Sequence, residues 1–341
     1  MAASSPEESM RYLAITVDTE ADWANPEENR IASVEGIPYL QDLCAEYDMI
    51  PTYLVTYEMA VKEEAVSVIK PYSDRGLCEI GHHLHIWTTP PFEDCNSHGV
   101  DERWIYGIQS EIPDQVFEQK MGSLHDAIRT NYGIRPRSHR AGRWAIDTRT
   151  MVWLERHGYA VDSSVCPYIS WSKVKGINQF ISTDTFASPN HPYYPDSEDI
   201  ARATKGGNRA MKILEVPVTG VKGDILSRFS FRGISRLRSV LHRFGYRGTG
   251  NMSFRPSSDI PPKVFEDIVH KVFSSDASFI NFMFHSPELT VGTSPYSQDK
   301  ASTAALRQRI EVALRTAAEY GLKGIALSEV GHKMTPGGSS D

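Results

Sequence analysis

Apolar runs rich in β-branched and aromatic residues recur along this chain, and the most regular of them stop at an ionisable residue. RYLAITVD (11–18) ends at Asp18, and FINFMFHS (279–286) passes through His285. Runs without polar alternation are the pattern of strands buried on both faces, as in parallel sheets covered by helices. Further strand-like segments are IPTYLVTY (50–57), CEIGHHLH (78–85), IRPRSHRAG (134–142), YAVDSS (159–164) and ILEVPVTG (213–220). Helical segments at 31–47, 62–76, 113–133, 147–157, 260–275 and 299–320 alternate with them, and 323–331 closes the pattern. This alternation predicts an α/β fold with a largely parallel sheet. At strand ends of such sheets, active sites are built.

The residues at those ends are carboxylates, imidazoles and guanidiniums: Asp18, Glu20 and Asp22, then His82, His83 and His85, Arg140 and Arg143, Asp162, and finally His285 and Glu288. With a strand period of two, Asp18 and Glu20 share a face, as do His83 and His85. Two buried carboxylates are costly unless a cation or an arginine neutralises them. An HxH pair offers a metal two imidazoles, and carboxylate oxygens complete a Zn²⁺ sphere. His82 then points elsewhere, into packing. His285, with Glu288 close behind, suits general acid chemistry. Arg140 and Arg143 are placed to orient a carboxylate, clamp an anionic substrate, or form a surface ion pair.

Composition narrows the alternatives. A net charge of −7 with pI near 6.0 argues against a nucleic-acid binder. Cys44, Cys78, Cys95 and Cys166 form no CxxC pair and read as buried free thiols. The N-terminus lacks a basic segment followed by an apolar run, and nothing reaches the roughly 18–20 apolar residues of a membrane span. A soluble, cytoplasmic enzyme is the expectation. Two long stretches, 86–111 and 166–208, are rich in Pro, Ser, Asn, Tyr and Trp. Their aromatics either stack on sugar rings or pack the surface.

The order of motifs resembles the polysaccharide deacetylase family, the chitooligosaccharide-deacetylase-like carbohydrate esterases. ITVDTE, EIGHHLH, HRAGRW, YAVDSSV and FMFHSPEL fall in the family's sequence of motifs over residues 11–330. The branch it looks most like acts in lipopolysaccharide or exopolysaccharide biosynthesis. The resemblance implies a single distorted (β/α) barrel of about seven strands, placed at 10–332; residues 1–9, small, polar and acidic, read as a disordered tail, and 333–341 as another. It also implies a divalent metal, usually zinc, and N-deacetylation of an acetamido sugar. Asp18 becomes the general base, His285 the acid and Arg140 the residue that orients Asp18. Two departures stand out: Thr19 separates the acids of the first motif, and Trp87 stands four residues after His83. Glu20, His83 and His85 are therefore the expected metal ligands, with Asp18 open as either base or ligand. Hydrolysis of another C–N bond, or an inactive carbohydrate-binding barrel, are the alternatives.

One segment stands apart from the site. Across 222–250, Lys222 and six arginines face a single acid, Asp224. A basic amphipathic helix there would lie on an anionic membrane or hold phosphates, docking the enzyme near a lipid- or nucleotide-linked sugar; a solvated helix face is the alternative.

Overall fold

The computed structural model describes residues 10–24, 30–92, 108–171, 183–223 and 251–334. Its main sheet begins with β1 (Tyr12–Thr19), β2 (Pro51–Val55), β3 (Glu79–Leu84), β4 (Ser138–Ala141) and β5 (Val161–Asp162). An antiparallel pair, β6 (Pro195–Asp196) and β7 (Asp199–Ala203), precedes β8 (Leu214–Glu215). A second pair, β9 (Gly220–Val221) with β10 (Met252–Ser253), precedes β11 (Phe279–His285) and β12 (Lys323–Gly324). The main sheet runs β11-β1-β2-β3-β4-β5-β8, with β12 also on β1, and its ladders are parallel.

The sheet curls into a seven-stranded barrel with one seam. Between β8 and β11, the Thr219 N–H reaches Asn281 O at 3.1 Å, and the Thr219 hydroxyl accepts the Asn281 N–H at 2.9 Å. Phe254 continues this stitch, donating to Thr219 O at 2.7 Å and accepting from Met283 N at 3.2 Å.

Helices cover the outside: α1 (Ile37–Glu46), α2 (Tyr57–Val61), α3 (Glu63–Ser73), α4 (Asp114–Tyr132), α5 (Thr148–Arg156), α6 (Pro262–Phe273), α7 (Lys300–Glu319) and α8 (Val330–Met334). The helix expected at 31–47 starts as a 3₁₀ turn over Ala32–Gly36, and α1 begins only where Pro38 can occupy the first turn without an N–H. The Asn-Tyr-Gly stop of α4 is observed: Gly133 takes φ of 73°, and its N–H returns to Arg129 O at 3.1 Å. α7 is capped by Asp299, which accepts from Ser302 N at 2.8 Å, a contact typically worth about 1 kcal/mol.

Strand alternation sorts the side chains into two layers. Outward residues of β1 and β11, Leu13, Ile15, Val17, Ile280, Phe282 and Phe284, join the large core beneath the helices. Inward residues Ala14, Leu54, Val161 and Phe279 form an apolar floor plugged by Ile325, Leu327 and Val330. Further along the strands the interior turns polar: Thr16, His83, Arg140, Ser163 and Asn281 are all buried. The apolar floor anchors the barrel, and the polar upper layer builds the site.

Several expectations are refined. Segment 323–331 contributes only two strand residues before turning into the floor plug and α8. Among the described residues of 166–208, the regular elements are the β6–β7 pair and the start of a 3₁₀ turn at Gly207–Arg209. Cys44, Cys78 and Cys166 are buried free thiols, with burial pushing Cys78 and Cys166 up to about 12. Cys95, residues 1–9 and 335–341, and the basic segment from 224 to 250 lie outside the described residues, while Lys333 and Met334, expected in the disordered tail, are the last residues of α8. Among the described residues, no helix is long and apolar enough to cross a membrane.

Candidate metal centre and active site

Asp18 and His285 are partners in the β1–β11 register, so the acid and the histidine emerge side by side at the C-terminal ends of adjacent strands. Asp18 is 3% exposed and Arg140 fully buried. The Arg140 guanidinium donates to Asp18 Oδ1 at 2.6 Å, to Thr16 Oγ1 at 2.9 Å, and to Ser163 O and Oγ at 2.8 and 2.9 Å. Four bonds to a planar fork fix it against the sheet interior. Burial pushes the Asp18 carboxyl up, but Arg140, with His83 and His285, outweighs it and holds Asp18 below its ordinary value. The second oxygen, Oδ2, stands 3.6 Å from His285 Nε2 and 3.8 Å from His83 Nε2.

Two residues further, Glu20 shares that face. Its Oε1 lies 3.1 Å from His83 Nε2 and 3.5 Å from His85 Nε2, and those two nitrogens are 3.0 Å apart. Donors held by a tetrahedral ion at about 2.0–2.1 Å sit about 3.3–3.4 Å from one another, so this triangle has the right size for zinc. His83 Nδ1 donates to Arg140 O at 2.9 Å, which leaves its Nε2 as a lone pair facing Glu20 Oε1. Lone pair against lone pair is repulsive unless a proton or a cation lies between them. His85 is braced by Trp87, stacked 4.3 Å away, and the Arg143 guanidinium lies over the Trp87 ring at 5.3 Å. Trp87 thus supports a ligand position.

A second set that could hold an ion, Asp18 with Glu20 and His285, also meets within 4.8 Å. The Arg140 cation already on Asp18 disfavours another cation there. Glu20, His83 and His85 therefore fit an ion better.

His285 is backed by Glu288, whose Oε2 accepts the His285 main-chain N–H at 3.1 Å and stands 3.8 Å from Nδ1. Arg255 pairs with the other oxygen, Oε1. Burial raises the Glu288 carboxyl, and Arg255 together with the His285 contacts more than offsets this, holding it below its ordinary value.

Three candidates fall elsewhere. Asp22 accepts from Ser33 N at 2.8 Å and fastens the 3₁₀ turn instead of joining the donors. His82 faces outward, its Nε2 3.2 Å from Met121 O on α4. Asp162 also faces outward, 2.5 Å from His139 Nδ1, while its neighbour Ser163 is the residue that points inward. Sequence reasoning assigned no role to Trp23, Arg255 or Ser286. Trp23 Nε1 donates to Glu20 Oε2 at 2.8 Å, and Ser286 Oγ accepts the Glu20 main-chain N–H at 3.0 Å. Trp23 lies within the first acidic motif; Arg255 follows no motif at all.

No protein-family model and no curated protein matches the chain. Solved structures do. A candidate glycoside hydrolase/deacetylase from Parabacteroides distasonis is 12% identical, with TM-score 0.64 over 96% of this chain and 71% of its own. A candidate polysaccharide deacetylase from Mycobacterium smegmatis is 15% identical, with TM-score 0.51 over 99% and 96%. The 4-alpha-glucanotransferase of Thermococcus litoralis, 12% identical, aligns at TM-score 0.50 over 95% of this chain and 39% of its own. At such identities the likeness speaks for architecture, and one architecture hosts more than one chemistry. The strand order, the curled parallel sheet and these neighbours together give the chain the (β/α) barrel fold of the polysaccharide deacetylases.

Proposed function

We propose that the chain is a metal-dependent N-deacetylase of an acetamido sugar, acting in cell-surface polysaccharide or lipopolysaccharide assembly. The observation that supports this reading is the convergence of Glu20, His83 and His85 on one point beside the Asp18–Arg140 pair and His285. Glu20, His83 and His85 would hold the cation. A divalent ion supplies Lewis acidity, polarising a carbonyl and acidifying water.

Asp18 is the base: Arg140 keeps it ionised and occupies Oδ1, leaving Oδ2 to accept the proton of the attacking water. The water oxygen adds to the acetamido carbon, the C–N bond breaks, and His285 gives a proton to the departing nitrogen. Acetate and a free amine result. Glu288, ionised beside the His285 ring, balances the charge that the ring carries as an acid. Proton transfer by a positioned side chain contributes typically about 10²–10⁴-fold.

Elemental analysis of the purified protein, followed by acetate release from N-acetylated sugars, tests the reading. About one divalent ion per chain is expected, lost in each of Glu20→Ala, His83→Ala and His85→Ala. Absence of metal after reconstitution would overturn it. The lipid- or nucleotide-linked form of the substrate is tested apart, by anionic-liposome binding after replacing Arg228, Arg232 and Arg236; unchanged binding removes that refinement.

A further inference from the structure

We propose that Trp23 is a positioning residue for the cation donors, its indole N–H fixing Glu20 as a one-oxygen donor while its ring holds His285 beside the same centre. The inference rests on the metal-dependent reading above.

Glu20 has two carboxylate oxygens with different neighbours. Oε1 faces the two histidine nitrogens at 3.1 and 3.5 Å, and Oε2 accepts the Trp23 Nε1–H at 2.8 Å. An indole N–H is a donor only, so it can neither compete for the cation nor release its proton to the carboxylate. It occupies one oxygen and aims the other.

The indole is itself held. The Trp23 main-chain N–H donates to Thr293 O at 2.8 Å, and the Thr293 hydroxyl donates to Pro287 O at 2.6 Å. Trp23 is thereby tied to the turn that follows His285. Its ring meets the His285 ring edge-on at 4.6 Å, and the Tyr296 ring edge-on at 6.3 Å. One side chain therefore contacts both a proposed ligand and the proposed acid, which come from opposite ends of the sequence. Partners that orient metal ligands are worth about 10–100-fold in metal affinity when removed.

The test uses full-length wild type, Trp23→Phe and Trp23→Ala, titrated with Co²⁺ while the visible absorption is recorded, and with Zn²⁺ against a competing chelator. Trp23→Phe keeps a ring against His285 and loses the N–H. It should bind either ion roughly 10–100-fold more weakly, and its Co²⁺ bands should change in position and intensity as Glu20 is freed to offer both oxygens. A residue acting through packing alone would leave the Phe variant's affinity and bands those of wild type, and that result overturns the proposal. Should Trp23→Phe fail to fold, benzothienylalanine at position 23, matching indole in shape without the N–H, takes its place under the same criteria. Failure of wild type to bind either ion would instead sink the metal-dependent reading, and this inference with it.

Discussion

Replacing Arg140 with methionine isolates the electrostatics on which the proposed base depends. Methionine keeps much of the volume and removes the charge from a residue with no solvent exposure. Most of its partners have others: Thr16 Oγ1 still donates to Asn281 Oδ1 at 2.8 Å, and Ser163 Oγ still donates to Val216 O at 2.8 Å. The Ser163 carbonyl and, above all, the Asp18 carboxylate are left without their main donor. Breaking a buried ion pair by removing one member costs about 3–5 kcal/mol, because the survivor stays desolvated and unpaired. A domain with roughly 5–15 kcal/mol of stability can lose this much and remain folded. Urea denaturation should show that loss in Arg140→Met. Adding Asp18→Asn should return part of it, since the orphaned charge disappears, with a coupling of about 2 kcal/mol or more. Additivity within about 0.5 kcal/mol, or a single-variant cost under about 1 kcal/mol, would refute the reasoning.

Other outcomes follow from single contacts. His285→Gln should lower kcat by about 10²–10⁴-fold with metal content unchanged, and a variant retaining full turnover would remove His285 as the acid. Gly142→Ala puts a methyl 2.5 Å from Leu84 O and 2.9 Å from His85 Cδ2, so metal affinity should fall with stability; wild-type affinity would show that His85 does not depend on that space. Glu215, fully buried, is raised well above its ordinary 4.5 by burial and by the Asp162 carboxylate. Its contribution is complete below the unfolded value and is lost as pH rises toward the folded one, at about 1.4 kcal/mol per pH unit. Glu215→Gln should therefore flatten stability against pH over that window and be the more stable protein at neutral pH; parallel curves for the two proteins would contradict this.

The sequence was most readable where period alone sufficed. Two-residue alternation put Asp18 with Glu20 and His83 with His85, and each pair shares a face in the structure. The same alternation sends His82 outward, as expected. Period could not place Asp162, because β5 has only two residues, too few to say which of Asp162 and Ser163 faces inward. Trp23 and Arg255 were unreadable for another reason: their partners, Glu20 and Glu288, are set by loops whose course no local pattern specifies. The closing segment misled because Ile325, Leu327 and Val330 are apolar in order to plug a floor, and a plug has the composition of a strand.

The pairing of β1 with both β2 and β11 has a consequence for timing. Asp18, Glu20, His83 and His85 all lie on, or one residue past, the first three strands, which are neighbours in both sequence and sheet. His285 leaves the ribosome about 200 residues later, roughly 10–40 s at ordinary elongation rates. During that interval a growing chain owns every proposed cation donor and the base but no acid. Ion binding by a nascent or truncated chain would therefore report on the opening third of the molecule, and only the arrival of β11 makes turnover a fair question.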